Sequence, residues 1–260
     1  MRVAALFDIH GNLPALEAVL GEVRQSGADL VVVGGDVLPG PWPRETLERL
    51  LHLEIPVRFV HGNGELAVLA ELEATHPEAV SYWGTTSGAI LPEPIREVLR
   101  WTARQIPAEL AQELAAWPKT IRLSVDGLGE VLFCHGTPRS ETECFTRLTP
   151  EDLLLPVFAE VEASVVVSGH THMAFDRRIG RVRVVNAGSV GMPFGLPGAD
   201  WALLGPDVEL RHTSFDLASA AERVRASRYP QAGELAAQVQ EPPTEAAMLD
   251  LLTSASFPCC

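Results

Sequence analysis

The sequence predicts an α/β fold with a parallel sheet at its centre, and three observations predict it. Short apolar runs rich in Val and Leu recur at residues 3–7, 30–33, 57–60, 131–134 and 165–168. They do not alternate with polar residues, which is the pattern of strands buried on both faces. Helical stretches separate the early runs, giving strand–helix–strand units that require parallel pairing. Each run also stops at or near a residue able to bind a metal, and ligands in open α/β sheets collect at the carboxyl ends of strands.

The elements follow in order. After the first run come Asp8 and His10, then Gly11 and Asn12, a turn ending in a helix-capping residue, with Pro14 in the first helical turn. Leu13, Leu16, Leu20 and Val23 recur at helical spacing, and Gly27 stands just beyond that helix. A second unit runs from residue 30 through a helix near 44–53 to the strand at 57. From 65 to about 118 no strand is evident. Pro77, Pro92, Pro94 and Pro107 break a helical pattern, read as an insert able to cover the metal edge. Residues 120–125 and 131–134 form a hairpin pattern across a turn at 127–130. A helix near 149–161 precedes the strand at 165. Residues 174–179 and 182–186 make another hairpin, and 201–204 and 208–213 follow as strands, so a second sheet is expected. Residues 1–215 are thus the expected catalytic domain, and 216–260 a peripheral helical tail, packed on the domain or trailing from it and interrupted by Pro242-Pro243.

Composition narrows the function classes. The chain has 260 residues, 47% of them hydrophobic, and can bury a sizeable core. Its formal net charge of −14 argues against broad nucleic-acid binding, which needs Lys and Arg against phosphates. A small phosphorylated substrate held through cations remains compatible with that charge. Four cysteines, Cys134, Cys144, Cys259 and Cys260, offer no CxxC and no zinc-finger spacing. No apolar stretch reaches the roughly 18 residues needed to span a bilayer, and the first strand starts too early for a signal-peptide core. A cytoplasmic protein is expected. There is no P-loop and no GxGxxG.

The strand ends carry Asp8, His10, Asp36, Asn63, His135, His170 and His172. On a one-sheet reading all seven lie along a single edge, enough for two metal ions. Asp8 and His10, one residue apart, can face one ion together. Asp36 has two oxygens and can bridge, Asn63 offers a neutral oxygen, and His170 and His172 can serve one ion each. Read singly, Asp36 after Gly34-Gly35 is equally a turn residue, and Asn63 between two glycines a left-handed turn residue. Jointly they point to metal. Carboxylate, imidazole and amide together suit Mn, Fe, Zn, Co or Ni. Two ions about 3.5–4 Å apart clamp both oxygens of an in-line displacement, and a hydroxide between them is a nucleophile at neutral pH.

These residues resemble a calcineurin-type metallophosphoesterase: Asp8-Ile9-His10, Gly34-Gly35-Asp36, Gly62-Asn63-Gly64-Glu65, His135-Gly136 and Gly169-His170-Thr171-His172. The resemblance covers residues 1 to about 190. Asn186-Ala187-Gly188-Ser189 is similar to the Asn-Pro-Gly-Ser stretch of the small bacterial phosphodiesterase branch. The resemblance implies a four-layer αββα sandwich of two mixed sheets. It assigns Asp8, His10 and His172 to the first metal, Asn63, His135 and His170 to the second, and Asp36 to both. Asp36, Asn63 and His135 are then the candidate catalytic residues, with two divalent ions as cofactors, Mn first and Fe, Zn, Ni or Co as alternatives.

One position departs from the family. Many members place His directly after the Asn, as an acid for the leaving group; here Gly64 stands there while Glu65 keeps the paired carboxylate. Loss of that acid costs ~10²–10⁴ in rate for poor leaving groups. The expectation is therefore a phosphodiesterase favouring leaving groups that need little protonation, or one in which a residue such as His61 substitutes. Arg139 is a candidate for gripping a phosphate oxygen, and Tyr82 and Trp83 for stacking on a base or packing the insert down. The alternatives are a serine/threonine or small-molecule phosphomonoesterase, a nucleotide or lipid-linked pyrophosphatase, and an idle metal-binding scaffold.

Overall fold

The computed structural model describes residues 1–73 and 91–255. Tyr82 and Trp83, part of the expected insert, and Cys259-Cys260 lie outside these residues. In the first sheet β1 (Val3–Leu6), β2 (Leu30–Val33) and β3 (Val57–Phe59) run parallel. The far side of β1 pairs antiparallel with β9 (Ala199–Leu204), and β9 with β10 (Val208–Thr213), giving the order β10-β9-β1-β2-β3. The second sheet contains β4 (Thr120–Val125), β5 (Gly129–Cys134), β6 (Val165–Ser168), β7 (Phe175–Ile179) and β8 (Val182–Asn186) in the order β4-β5-β6-β8-β7. Its centre is parallel, and the expected hairpins supply its antiparallel margins, β4 on β5 and β7 on β8.

Alternation along each strand sorts side chains between two cores. Val3, Ala5 and Phe7 point toward the other sheet, where Val131, Phe133, Val165 and Val167 meet them. Ala4 and Leu6 point the other way, onto Leu16, Val19 and Leu20 of α1 (Leu13–Gln25). In the second sheet Leu132, Cys134, Val166 and Val184 pack outward on Leu154, Val157 and Phe158 of α6 (Glu151–Phe158). Helix, sheet, sheet and helix are thus stacked in four layers, which is why the strands read as unbroken apolar runs.

Local signals set the helix ends. The Asn12 side chain accepts a hydrogen bond from the Ala15 amide at 3.3 Å, Pro14 sits in the first turn, and Gly27 takes a positive φ just past α1. Pro43 opens α2 (Pro43–Leu51). The expected insert yields α3 (Asn63–Leu72), α4 (Glu93–Ala103) and α5 (Ala108–Ala115), and no strand among its described residues.

One expectation is corrected and another narrowed. The metal-bearing strands do not share one sheet edge: β1, β2 and β3 belong to one sheet, and β5 and β6 to the other. Their carboxyl ends converge because the sheets face each other. The C-terminal segment is helical as expected, in α7 (Leu217–Ala226), α8 (Ala232–Gln240) and α9 (Glu245–Ala255); of the two expected placements it takes the packed one, more closely integrated than a peripheral tail. Ala220, Val224, Leu235 and Val239 form a core of their own against Trp42 and Met192. Met248, Leu249 and Leu252 of α9 pack on Met173 and Phe194, beside the Gly169–His172 loop. No helix among the described residues is long and apolar enough to cross a membrane.

Candidate metal centre

All seven expected ligands are buried and come together where the two sheets converge. They form two clusters, one of Asp8, His10 and His172 and the other of Asp36, His135 and His170, each with its ligand atoms within 4.8 Å of one another. Asn63, at the start of α3, brings its Oδ1 to 3.1 Å from His135 Nε2 and so joins the second cluster. Asp36 lies between the two: its Oδ1 is 3.4 Å from His135 Nε2, and its Oδ2 is 3.9 Å from His10 Nε2.

The backbone at these positions is unusual. Asp8, His10, Asp36, His170 and His172 have φ between 47° and 68°, and among the described residues no other non-glycine residue has positive φ. Such conformations cost on the order of 1–3 kcal/mol each and persist only where the surroundings over-determine them. Here they do. The amides of Asp8, His10 and Gly11 donate to the carbonyls of Gly35, Asp36 and Val37 at 3.1, 2.9 and 2.7 Å. The Gly169 amide donates to the His135 carbonyl, and the Gly191 amide to that of Asp8, each at 2.9 Å. Neighbouring loops of each sheet are thereby stitched together, and the Gly191 amide ties the loop after β8 of the second sheet to the loop after β1 of the first.

Several ligands are oriented by a second hydrogen bond, as metal-binding imidazoles and carboxylates usually are. His135 Nδ1 donates to the Gly34 carbonyl and His172 Nδ1 to the Met192 carbonyl, each at 3.0 Å. A carbonyl only accepts, so both Nδ1 atoms carry the proton and both Nε2 atoms face inward. His172 Nε2 lies 3.1 Å from His10 Nε2, and His135 Nε2 lies 3.2 Å from His170 Nδ1. Asp8 Oδ2 accepts from the His170 amide at 2.8 Å, while Asp8 Oδ1 is buried with no hydrogen-bond partner among the described residues. Acceptor atoms converging on one another in a buried space are the donor set of a cation site, and the residues fit two ions.

Protonation agrees with this. Burial favours the neutral form of Asp8, but His172 and His135 outweigh it and hold the carboxyl below its ordinary range. At Asp36 burial likewise pushes up, and His135 beside it more than compensates. His10 and His170 are pushed down to about 4 by burial and by the neighbouring imidazoles. At His135 burial lowers the value, but the Asp36 charge raises it to about 10.

Residues outside the expected ligand set hold this arrangement. Glu65, fully buried, uses one oxygen to accept from the amides of Asp36 and Gly62 at 2.9 and 2.7 Å, and the other to accept from Leu38 at 3.0 Å. Burial and the Asp36 charge push its carboxyl up to about 7. Glu65 therefore clamps the Asp36 loop rather than serving a neighbouring acid. Asn186 donates to the Gly169 carbonyl at 2.6 Å and to Thr171 Oγ1 at 3.0 Å, and Ser189 Oγ donates to the Asp8 carbonyl at 2.7 Å. The motif at 186–189 was the sequence signal for these; nothing local marked Glu65 as a clamp.

Position 64 proves to be closed rather than vacant. The Gly64 amide donates to Asp36 Oδ1 at 2.7 Å, and a Cβ there would lie 2.0 Å from the Leu38 carbonyl oxygen. No side chain fits there without moving the Leu38 loop. His61 is half-buried beside the Lys119–Glu141 ion pair, and its amide donates to the Pro118 carbonyl at 3.1 Å. Arg139 is half exposed and paired with Glu143 at 2.6 Å, within its own loop.

Two sheets sandwiched between helices, with two buried acid–imidazole clusters at the converging strand ends, define a metal-dependent hydrolase. The chain belongs to the calcineurin-like phosphoesterase superfamily, whose domain model matches residues 1–205. It is 26% identical over 249 residues to protein MJ0912 of Methanocaldococcus jannaschii, covering 88% of this chain and 94% of that one. With phosphodiesterase YfcE of Escherichia coli K12 it shares 27% identity over 217 residues, 80% of this chain and 89% of the other. A metallophosphoesterase structure from Sphaerobacter thermophilus superposes with a TM-score of 0.70 at 25% identity, covering 93% and 99% of the two chains. Protein PH1004 of Pyrococcus horikoshii has the same fold, with a TM-score of 0.76 at 20% identity over 94% and 99%. The protein is a metal-dependent phosphoric ester hydrolase.

Proposed function

We propose that the protein hydrolyses phosphodiesters of small molecules, with Asp8, His10 and His172 holding one divalent ion, Asn63, His135 and His170 a second, and Asp36 shared by both. The observation that carries this reading is the pairing of a complete seven-residue ligand set with a closed position 64. Two bound ions supply Lewis acidity to the phosphoryl oxygens and an activated water at neutral pH. The chain's own residues do the rest. Asp8 and Asp36 provide fixed negative charge, His135 and His172 are locked by carbonyls in one tautomer, and Asn63 Nδ2 is a buried donor available to a phosphoryl oxygen. With Gly64 in place of the usual His, the imidazole that would protonate the departing oxygen is missing from that position, which favours esters whose leaving group departs as a stable anion. Arg139 would first have to leave Glu143 to reach the substrate. The likeness to YfcE supports a diester over a monoester. The mixed donor set suits Mn²⁺, with Fe, Zn, Ni or Co as alternatives. Free thiols at Cys134 and Cys144 suit a reducing, cytoplasmic setting.

The test is hydrolysis of bis-p-nitrophenyl phosphate against p-nitrophenyl phosphate with added Mn²⁺, alongside Asp36→Asn. Diester turnover that falls by roughly 10³-fold or more in the variant, the several kcal/mol a metal clamp supplies, supports the proposal. Monoester turnover alone would make the protein a phosphatase. Bound metal without turnover of either would make it a scaffold.

A further inference from the structure

A cavity of about 120 Å³ opens directly on the first ligand cluster, with His10 and His172 in its lining. Pro39 and Met192 of the strand-end loops add to its floor, and the opposite side comes from Ile95 and Val98 of α4 and from Tyr229 and Leu235 before and within α8. Helix and tail therefore share the enclosure of one space. The enclosure is braced, because Trp101 of α4 meets the Tyr229 ring edge-on at 5.6 Å and the Gln231 side chain donates to the Pro94 carbonyl at 3.3 Å.

The chemistry of the lining is selective. Among the described residues no Lys, Arg, Asp or Glu contributes to it. A second phosphate placed there, beyond the ester held at the ions, would lose water and meet no charged side chain among the described residues, a costly exchange. The volume is also limiting, since a cavity of about 150 Å³ takes a benzene ring.

We infer that this cavity receives one ester group of the substrate, an uncharged organic group about the size of a single ring, and that Val98, Ile95 and Leu235 set that size. The inference rests on the phosphoester reading and narrows it. A polyphosphate chain is excluded from this side of the centre, and so is a long lipid tail.

Two unreactive ligands separate the assignment from the reading beneath it: phenylphosphonate and methylphosphonate, titrated calorimetrically into the Mn²⁺-loaded protein. They share the phosphorus group and differ in the ring. Phenylphosphonate is expected to bind about 10–100-fold more tightly, as apolar groups filling a fitted pocket do. Val98→Trp, which fills the cavity, is expected to bring that ratio toward one. Gln231→Trp, at a partly exposed position in the same lining, repeats the test without touching a buried residue, should Val98→Trp fail to fold. Equal affinities in the unaltered protein, or a ratio that survives in a folded variant, would overturn the cavity assignment and leave the phosphoester reading standing. Absence of binding by both ligands would overturn that reading, and the assignment with it.

Discussion

The loops that carry the seven candidate ligands and the helices that overlie them are held in different ways. The loops are fixed by hydrogen bonds: left-handed residues pinned amide by amide to a neighbouring loop, a buried carboxylate spanning three backbone donors, and imidazoles tied to carbonyls. The cover is fixed by apolar contact, with Leu235 and Val239 packed on α7 and with Leu249 and Leu252 packed around Phe194. Hydrogen-bonded loops specify positions to within a few tenths of an ångström, as placing a metal demands. Apolar cores tolerate exchange of one hydrophobic side chain for another of similar volume. The division suggests that the chemistry is invariant in the floor while the choice of substrate is adjustable in the cover.

Substitutions can break that contrast or sharpen it, taken here in order of their effect on metal binding. Gly64→His should do most harm. Although it restores the residue other family members use as an acid, its Cβ collides with the Leu38 carbonyl. Urea unfolding is expected to show a loss of about 1–3 kcal/mol from overpacking, with diester turnover falling rather than rising. A gain in turnover would show that the Leu38 loop yields easily and that the floor is less rigid than its hydrogen bonds imply. Glu65→Gln comes next. One backbone donor would then face an amide nitrogen, costing roughly 1–3 kcal/mol of stability, and Mn²⁺ affinity should weaken about 10–100-fold, as for other residues behind a ligand. Metal titration reads this directly.

Leu249→Ala tests the cover. Removing a buried side chain from α9 should lower stability by roughly 2 kcal/mol, the lower end for such deletions, with Mn²⁺ affinity retained. A parallel loss of metal would mean that Phe194, which stacks on His172 with ring centroids 5.1 Å apart, transmits the packing of α9 to the floor. Arg139→Ala should change least. With its guanidinium engaged by partly buried Glu143, diester KM is expected to stay as it was; a marked rise would return Arg139 to the substrate.

The floor was legible in the sequence to the extent that its logic is local. An apolar run ending in Asp-Ile-His or His-Thr-His announces both a strand and what stands at its end, and Asn12 with Pro14 announces the helix that follows. The partition of the runs between two sheets was not local. Residues 3–7 and 131–134 look alike because both strands are buried on both faces, and only long-range pairing separates them. Glu65 was misread for a related reason: two of the three amides it holds belong to residues 36 and 38, nearly thirty positions away. The tail was read as peripheral because its helices have ordinary amphipathic spacing, which records that one face is covered but not by what.

The left-handed backbone at five ligand positions bears on which amino acids could ever stand there. Among residues with side chains, Asn, Asp and His adopt this conformation several-fold more readily than others. The same three can ligate a hard or borderline cation. Glu and Cys also bind metals, but they would pay the backbone penalty in full at residues 8, 10, 36, 170 and 172. Redesign toward softer ions through thiolates therefore meets resistance from the main chain before any question of coordination geometry arises. The metal preference of this fold is written partly in its torsion angles.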